Sequence, residues 1–125
     1  MRIFYVDDDI EDIEIFRDAV NTVNPAIQCI SAQSGLEALD FLQGVDTLPD
    51  HIILDINMPG MDGKLCLQEL RKKQKFDGAS IVVYSTNICP KDIEYIESLG
   101  ARFIRKASTF NDLCAILRKL EAEKL

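Results

Sequence analysis

The chain has 125 residues, the size of one ordinary domain, and 47% of them are hydrophobic, which is enough to build a core at that length. Its formal net charge of −7 argues against direct binding to nucleic acid or to an anionic membrane, since both need a basic footprint. No apolar stretch approaches the roughly 20 residues of a membrane span, and Met1-Arg2-Ile3 runs straight into an apolar segment, leaving no room for a signal peptide.

The first apolar run, Ile3–Val6, is aromatic and β-branched and predicts a buried strand. Asp7, Asp8 and Asp9 follow at once. Like charges this close repel and raise each other's pKa unless something cationic lies between them, so the cluster asks for a cation. Ile13, Phe16, Val20 and Val23 then step by three and four, a first helix that Asn24-Pro25 ends. Ile27–Ile30 predicts the second strand. Ser34-Gly35 opens a second helix, with Glu37 at capping-box spacing and Leu36, Leu39, Phe41 and Leu42 as its apolar face. Leu48-Pro49-Asp50 leads into the third strand, Ile52–Leu54, and His51 just before it reads as a surface or strand-edge residue. Asp55 closes that strand and the run Ile56-Asn57-Met58-Pro59-Gly60-Met61-Asp62-Gly63 follows. Leu65, Leu67 and Leu70 fit a third helix less regularly. The fourth strand, Ile81–Tyr84, ends in Ser85-Thr86-Asn87. Pro90 suits the first turn of a fourth helix with Ile93, Ile96 and Leu99 on one face, and Gly100 follows its end. Arg102–Arg105 is the fifth strand, with Lys106 next. The fifth helix has the clearest stripe: Phe110, Leu113, Cys114, Leu117 and Leu120. Cys29, Cys66, Cys89 and Cys114 are far apart and read as reduced thiols of a cytosolic protein, with no zinc or disulfide spacing.

Five strand–helix repeats with short connections predict an α/β fold: a five-stranded parallel sheet with helices on both faces. The strand order 2-1-3-4-5 makes strands one and three neighbours, and ligands of such sheets collect at the carboxyl ends of the strands. One corner would then hold Asp7, Asp8, Asp9, Asp55, Ser85, Thr86 and Lys106. Hard oxygen donors without His or Cys select Mg2+ or a similar cation. Asp55, facing such a cation, can attack phosphorus as a carboxylate nucleophile. The metal and Lys106, a compact point charge, would neutralise the phosphoryl oxygens, and Ser85 or Thr86 would offer a hydroxyl. Each of these residues has a plainer role when taken alone. Asp9 suits a helix N-cap, Ser85 and Thr86 a cap of the fourth helix, Lys106 a surface position and Phe103 ordinary core.

These residues carry a resemblance. The Asp pair after the first strand, the run from Leu54-Asp55 to Gly63, the Ser85-Thr86 hydroxyls and Lys106 after the fifth strand, in this order and spacing, resemble a response-regulator receiver domain of the stand-alone, chemotaxis-regulator type. The resemblance covers residues 1–125 as one receiver domain and implies a flavodoxin-like (βα)5 fold. By position it makes Asp55 the phosphoacceptor. Asp8 becomes the principal metal ligand with Asp7 assisting, Asn57 gives its backbone carbonyl to the metal, and Lys106 contacts the phosphate. Ser85 and Phe103 match the conformational-switch pair, and Asn57 and Asn87 the positions that tune how long the phosphoryl group survives. One residue departs from the pattern: Ala107 stands where the family usually has proline after a cis peptide. A cis bond before a non-proline residue costs about 3 kcal/mol, so either that strain is retained or the loop is rebuilt.

The function so implied is a cytoplasmic two-component response regulator, a phosphoprotein and not a true enzyme, which catalyses only its own phosphorylation and dephosphorylation. A sensor histidine kinase or phosphotransfer protein would donate to Asp55 with Mg2+. The face built of the fourth helix, fifth strand and fifth helix would then engage a downstream protein or a second copy of the chain. Since the sequence as given stops after the fifth helix, the expected output is protein–protein contact or phosphotransfer to another protein. The alternative is a small phosphohydrolase with an aspartyl-phosphate intermediate. That class places a second Asp two residues after the nucleophile as acid/base, and here that position is Asn57. A flavodoxin-like cofactor carrier is rejected, because three aspartates after the first strand would repel a phosphate.

Overall fold

A computed structural model describes residues 1–56, 63–86 and 88–123. Strand and helix alternate along it: β1 (Arg2–Val6), α1 (Ile10–Val23), β2 (Gln28–Ala32), α2 (Gly35–Gly44), β3 (His51–Leu54), α3 (Gly63–Arg71), β4 (Ile81–Ser85), α4 (Pro90–Ser98), β5 (Arg102–Arg105) and α5 (Phe110–Ala122). All pairings are parallel and the order is β2-β1-β3-β4-β5, as the sequence predicts.

The two-residue period of a strand sorts the core into two layers. Ile3, Tyr5, Ile53, Val82 and Tyr84 face one way and pack with Ile13, Phe16, Leu113 and Leu117 of α1 and α5. Phe4, Val6, Ile52, Leu54, Ile81 and Val83 face the other way, against Leu42, Leu67, Leu70 and Ile96 of α2, α3 and α4. Both faces of the central strands are therefore covered, which is why β1, β3 and β4 read as unbroken apolar runs. Helix starts are capped by side chains: Asp9, Ser34 and Thr109 accept from the backbone N–H groups of Glu11, Glu37 and Asp112.

His51 departs from the expected surface or strand-edge position ahead of the third strand. It is fully buried, because β3 begins at His51 itself, paired with Ile3 in the middle of the sheet. Its Nδ1 lies 2.7 Å from Ser80 Oγ and its Nε2 3.0 Å from the Leu120 carbonyl oxygen. That carbonyl can only accept, so Nε2 donates, and in the neutral ring the Ser80 hydroxyl donates to Nδ1. The imidazole thereby ties the end of α5 to the foot of β3. β2 also starts one residue later than expected, at Gln28, where ladder pairing with Arg2 begins; Ile27 is a buried lead-in residue. Leu36, Leu65 and Phe110 point to solvent instead of joining the predicted apolar faces, at 65%, 45% and 43% exposure. The sheet-facing positions of α2 and α3 are instead filled by Ala38 with Leu42 and by Cys66 with Leu67 and Leu70. A 3-10 turn at Gln74–Phe76, unpredicted, buries Phe76.

Candidate functional site

Register decides which residues meet. Val6 pairs with Leu54, so Asp7 and Asp55 leave adjacent strands side by side. The backbone holds both: Asp7 N–H donates to the Ala32 carbonyl at 3.1 Å and Asp55 N–H to the Val6 carbonyl at 2.9 Å. Asp7, Asp8 and Asp55 each place a carboxylate oxygen within 4.8 Å of the others. Asp7 and Asp55 are buried and Asp8 is exposed. Three carboxylates this close are an oxygen-only donor set suited to a hard divalent cation.

Asp7 is heavily engaged. Its Oδ2 accepts from Tyr5 Oη at 2.6 Å and from Lys106 Nζ at 3.0 Å, and its Oδ1 from Asp9 N–H at 3.0 Å. Burial pushes the Asp7 carboxyl up, but the hydrogen bonds from Tyr5, Asp9 and Lys106 outweigh it and hold the group below the usual Asp value. The Tyr5 hydroxyl moves far upward, first through burial and then through its bond to Asp7. Asp9 caps α1, which bears out the plainer reading of that residue.

Lys106 reaches into the cluster from the end of β5. Its Nζ lies 3.0 Å from Asp7, 3.1 Å from Asp12 and 3.7 Å from Asp55. Burial alone would lower its pKa, but the bond to Asp7 and the charges of Asp55 and Asp7 raise it instead, so the ammonium is held protonated. Its backbone N–H donates to the Ser85 carbonyl at 2.9 Å. Ala107 has a consequence here. Among the described residues no peptide bond is cis, and the Ala107 N–H, which a proline would lack, donates to Tyr84 Oη at 3.0 Å. The loop is rebuilt around a trans peptide, and Lys106 still reaches the carboxylates.

Ser85 is buried at the end of β4, level with Arg105 of β5, while Thr86 is exposed. Phe103, on β5, is partly buried and packs against the α2–α3–α4 side of the sheet. Asn57 and Asn87 lie outside the described residues. Gly63 opens α3 hard against the end of β3: a Cβ there would sit 2.5 Å from the Asp55 carbonyl oxygen and 2.8 Å from Ile56 Cα. Only glycine lets the two backbones come this close.

Sequence reasoning missed Tyr5, Asp12 and Tyr84. Tyr5 stands on β1 two positions before Asp7, which directly follows the strand, so the two share a face, and that spacing is a usable signal. Asp12 carried only the signature of an acidic first helical turn.

Comparison with known proteins agrees with this geometry. The family model described as the response regulator receiver domain matches residues 3–118. The sensor histidine kinase CheAY of Helicobacter pylori is 30% identical over 123 residues, covering 95% of this chain and 15% of that protein. The response regulator Rcp1 of Synechocystis is 25% identical over 126 aligned residues, covering 96% of this chain and 86% of Rcp1. Among solved structures, the phosphorylated cyanobacterial phytochrome response regulator RcpA superposes with a TM-score of 0.85 at 28% identity, covering 96% of this chain and 90% of that one. A two-component response regulator from Legionella pneumophila gives 0.81 at 29% identity, covering 98% of each. The chain spans a small part of some relatives, 15% of CheAY and 35% of the Bacillus subtilis regulator DctR. An acidic pocket at the ends of β1 and β3, a lysine from the end of β5 and a family match over most of the chain lead to one conclusion: this chain belongs to the response regulator receiver domain family of two-component systems.

Proposed function

We propose that residues 1–125 act as one receiver unit that accepts a phosphoryl group on Asp55 in a Mg2+-dependent reaction. The observation that carries this reading is the placement of Asp55: it is buried at the end of β3, within 4.8 Å of Asp7 and Asp8 oxygens and 3.7 Å from the Lys106 ammonium. A phosphohistidine on a sensor kinase or phosphotransfer protein is the donor class. An Asp55 oxygen forms the new O–P bond as the donor's N–P bond breaks, and the departing imidazole keeps the electron pair of that bond. Lys106 faces the phosphoryl oxygens with a fixed positive charge. Asp8, exposed, and Asp55 would hold Mg2+, with Asp7 in a supporting place because its oxygens already serve Tyr5, Asp9 and Lys106. The Asn57 carbonyl would be the remaining protein ligand in this reading. Bound Mg2+ would supply further neutralisation of charge on the transferred group.

The unit is a signalling module in this account, and its chemistry is confined to its own phosphorylation and dephosphorylation, with Asn57 and Asn87 tuning the latter. Asn57 cannot serve as acid/base, which disfavours the phosphohydrolase alternative. Ser85 is drawn toward the phosphoryl group and Phe103 turns inward. That shifts the α4–β5–α5 face toward a conformation a downstream protein, or a second copy, recognises. Among the described residues no helix is long and apolar enough to cross a membrane, and a cytoplasmic setting is part of the same reading. Phosphoramidate, which carries the N–P bond that must break, tests the chemistry. With Mg2+ it is expected to yield an acyl-phosphate 31P NMR signal that Asp55→Asn lacks. The same signal in Asp55→Asn would move the acceptor elsewhere.

A further inference from the structure

We infer that Asp12 is a positioning residue for Lys106: together with Asp7 it holds the ammonium at a stand-off from Asp55, leaving space for the phosphoryl group the lysine is to contact. The inference rests on the reading of Asp55 as phosphoacceptor. A lysine head has three N–H donors and no acceptor. Two are committed, to Asp7 Oδ2 at 3.0 Å and to Asp12 Oδ2 at 3.1 Å. Asp55 Oδ2 stays at 3.7 Å, outside hydrogen-bond contact. An ammonium and a carboxylate that meet unrestrained close to about 2.8 Å. At that distance the lysine would cover an oxygen of the group that must attack phosphorus. Asp12 stands on the first turn of α1 and Asp55 at the end of β3, so the two carboxylates draw one ammonium from different elements.

A simpler account of Asp12 is a helix-dipole acid in the first turn of α1. Its geometry goes further than that. Asp9 already caps the helix, and the Asp12 side chain reaches a residue 94 positions away. The lysine is meanwhile anchored at its backbone: its N–H bonds the Ser85 carbonyl, and the next N–H bonds Tyr84 Oη. With the backbone fixed by β4 and Tyr84, the head position is set by Asp7 and Asp12. Asp7 is buried and shared with Tyr5 and Asp9. Asp12 is 41% exposed and lines an open cleft of about 320 Å³, so its substitution leaves core packing intact.

The experiment measures phosphorylation from acetyl phosphate with saturating Mg2+ in wild type, Asp12→Asn, Asp12→Glu, Lys106→Gln and the Asp12→Asn/Lys106→Gln pair. Asp12→Asn is expected to lower the maximal rate about tenfold, the scale of a small misplacement of a catalytic group, with the donor concentration for half-maximal rate unchanged. Asp12→Glu recovers part of the rate. In the Lys106→Gln background the same Asp12 change has no further effect, because its target is gone. An NMR signal from the Lys106 ammonium should shift in Asp12→Asn and stay put in Asp9→Asn. A tenfold loss that persists without the lysine, a wild-type rate in Asp12→Asn, or an unmoved ammonium signal overturns the inference. A wild-type protein that takes no phosphoryl group overturns the phosphoacceptor reading, and the inference with it.

Discussion

Tyr5→Phe removes one oxygen from the middle of the site and nothing else. The ring stays stacked on Phe16, at a centroid distance of 4.0 Å and an interplanar angle of 5°. What is lost is the 2.6 Å bond from Tyr5 Oη to Asp7 Oδ2, between two residues each 1% exposed. A hydrogen bond to a charged partner contributes about 1.5–3 kcal/mol net. Asp7 keeps Asp9 N–H and Lys106, which places the expected loss near the lower part of that range, about 2 kcal/mol. With a urea dependence of about 1.5 kcal/mol/M for a domain of this size, the midpoint at pH 7 should fall by about 1.3 M. The sign of the pH dependence follows from Asp7. Its folded pKa is depressed, so the stability it supplies is present above the unfolded value of about 3.9 and lost as pH falls through the folded value. Without the tyrosine hydroxyl that folded value climbs. The gap between wild type and Tyr5→Phe should therefore be full at neutral pH and shrink in acid. Urea titrations followed by circular dichroism, at pH 7 and at the lowest pH where the fold persists, measure both. Equal midpoints at pH 7, or a gap of the same size at both pH values, would refute the assignment of Tyr5 as a support of the Asp7 carboxylate.

Gly63→Ala forces a Cβ against backbone atoms of Asp55 and Ile56 that cannot swing away. A loss of about 3 kcal/mol is expected, seen by differential scanning calorimetry as a melting temperature about 10 °C lower; an unchanged melting point would show that α3 can retreat from β3. His51→Ala leaves the Leu120 carbonyl and the Ser80 hydroxyl without their imidazole partner and opens a cavity. Chemical denaturation should show a loss of about 3 kcal/mol, against a negligible change if the ring were an ordinary surface group. Millimolar Mg2+ should raise the melting temperature of wild type, and Asp8→Ala should abolish that rise; a rise undiminished in Asp8→Ala would remove Asp8 from the metal site. Lys106 supplies the opposite pH limb. Its raised pKa gives stability that is full below the unfolded value of about 10.4 and lost as pH rises through the folded one. Alkaline titration of stability should therefore steepen in wild type relative to Lys106→Gln.

The strands and the residues at their ends were legible because each signal was local. β1, β3 and β4 are short apolar runs, and the carboxylates that matter follow directly on two of them. What could not be read was which partner satisfies a polar group across the fold. His51 looked peripheral because its acceptor, the Leu120 carbonyl, lies 69 positions away on α5. Asp12 carries no signal beyond an acidic first helical turn, and its partner Lys106 lies 94 positions away. Within its apolar run Tyr5 reads as a core residue, and the run alone does not assign its hydroxyl to Asp7. Single positions on otherwise correctly read helix faces miss for a different reason. Periodicity weights large residues, yet α2 and α3 meet the core partly through Ala38 and Cys66, which left Leu36 and Leu65 outside. At Ala107 the missing proline leaves the peptide bond open between cis and trans on sequence alone. The answer is a hydrogen bond: the N–H that alanine retains finds Tyr84 Oη.

The most direct measurement of the central claim is the intact mass of the protein after incubation with Mg2+ and acetyl phosphate, for wild type and Asp55→Asn. The account predicts that wild type gains the mass of one phosphoryl group, that the gain is lost when EDTA replaces Mg2+, and that Asp55→Asn gains nothing. An unmodified wild type, or an Asp55→Asn protein that gains the same mass, would contradict it.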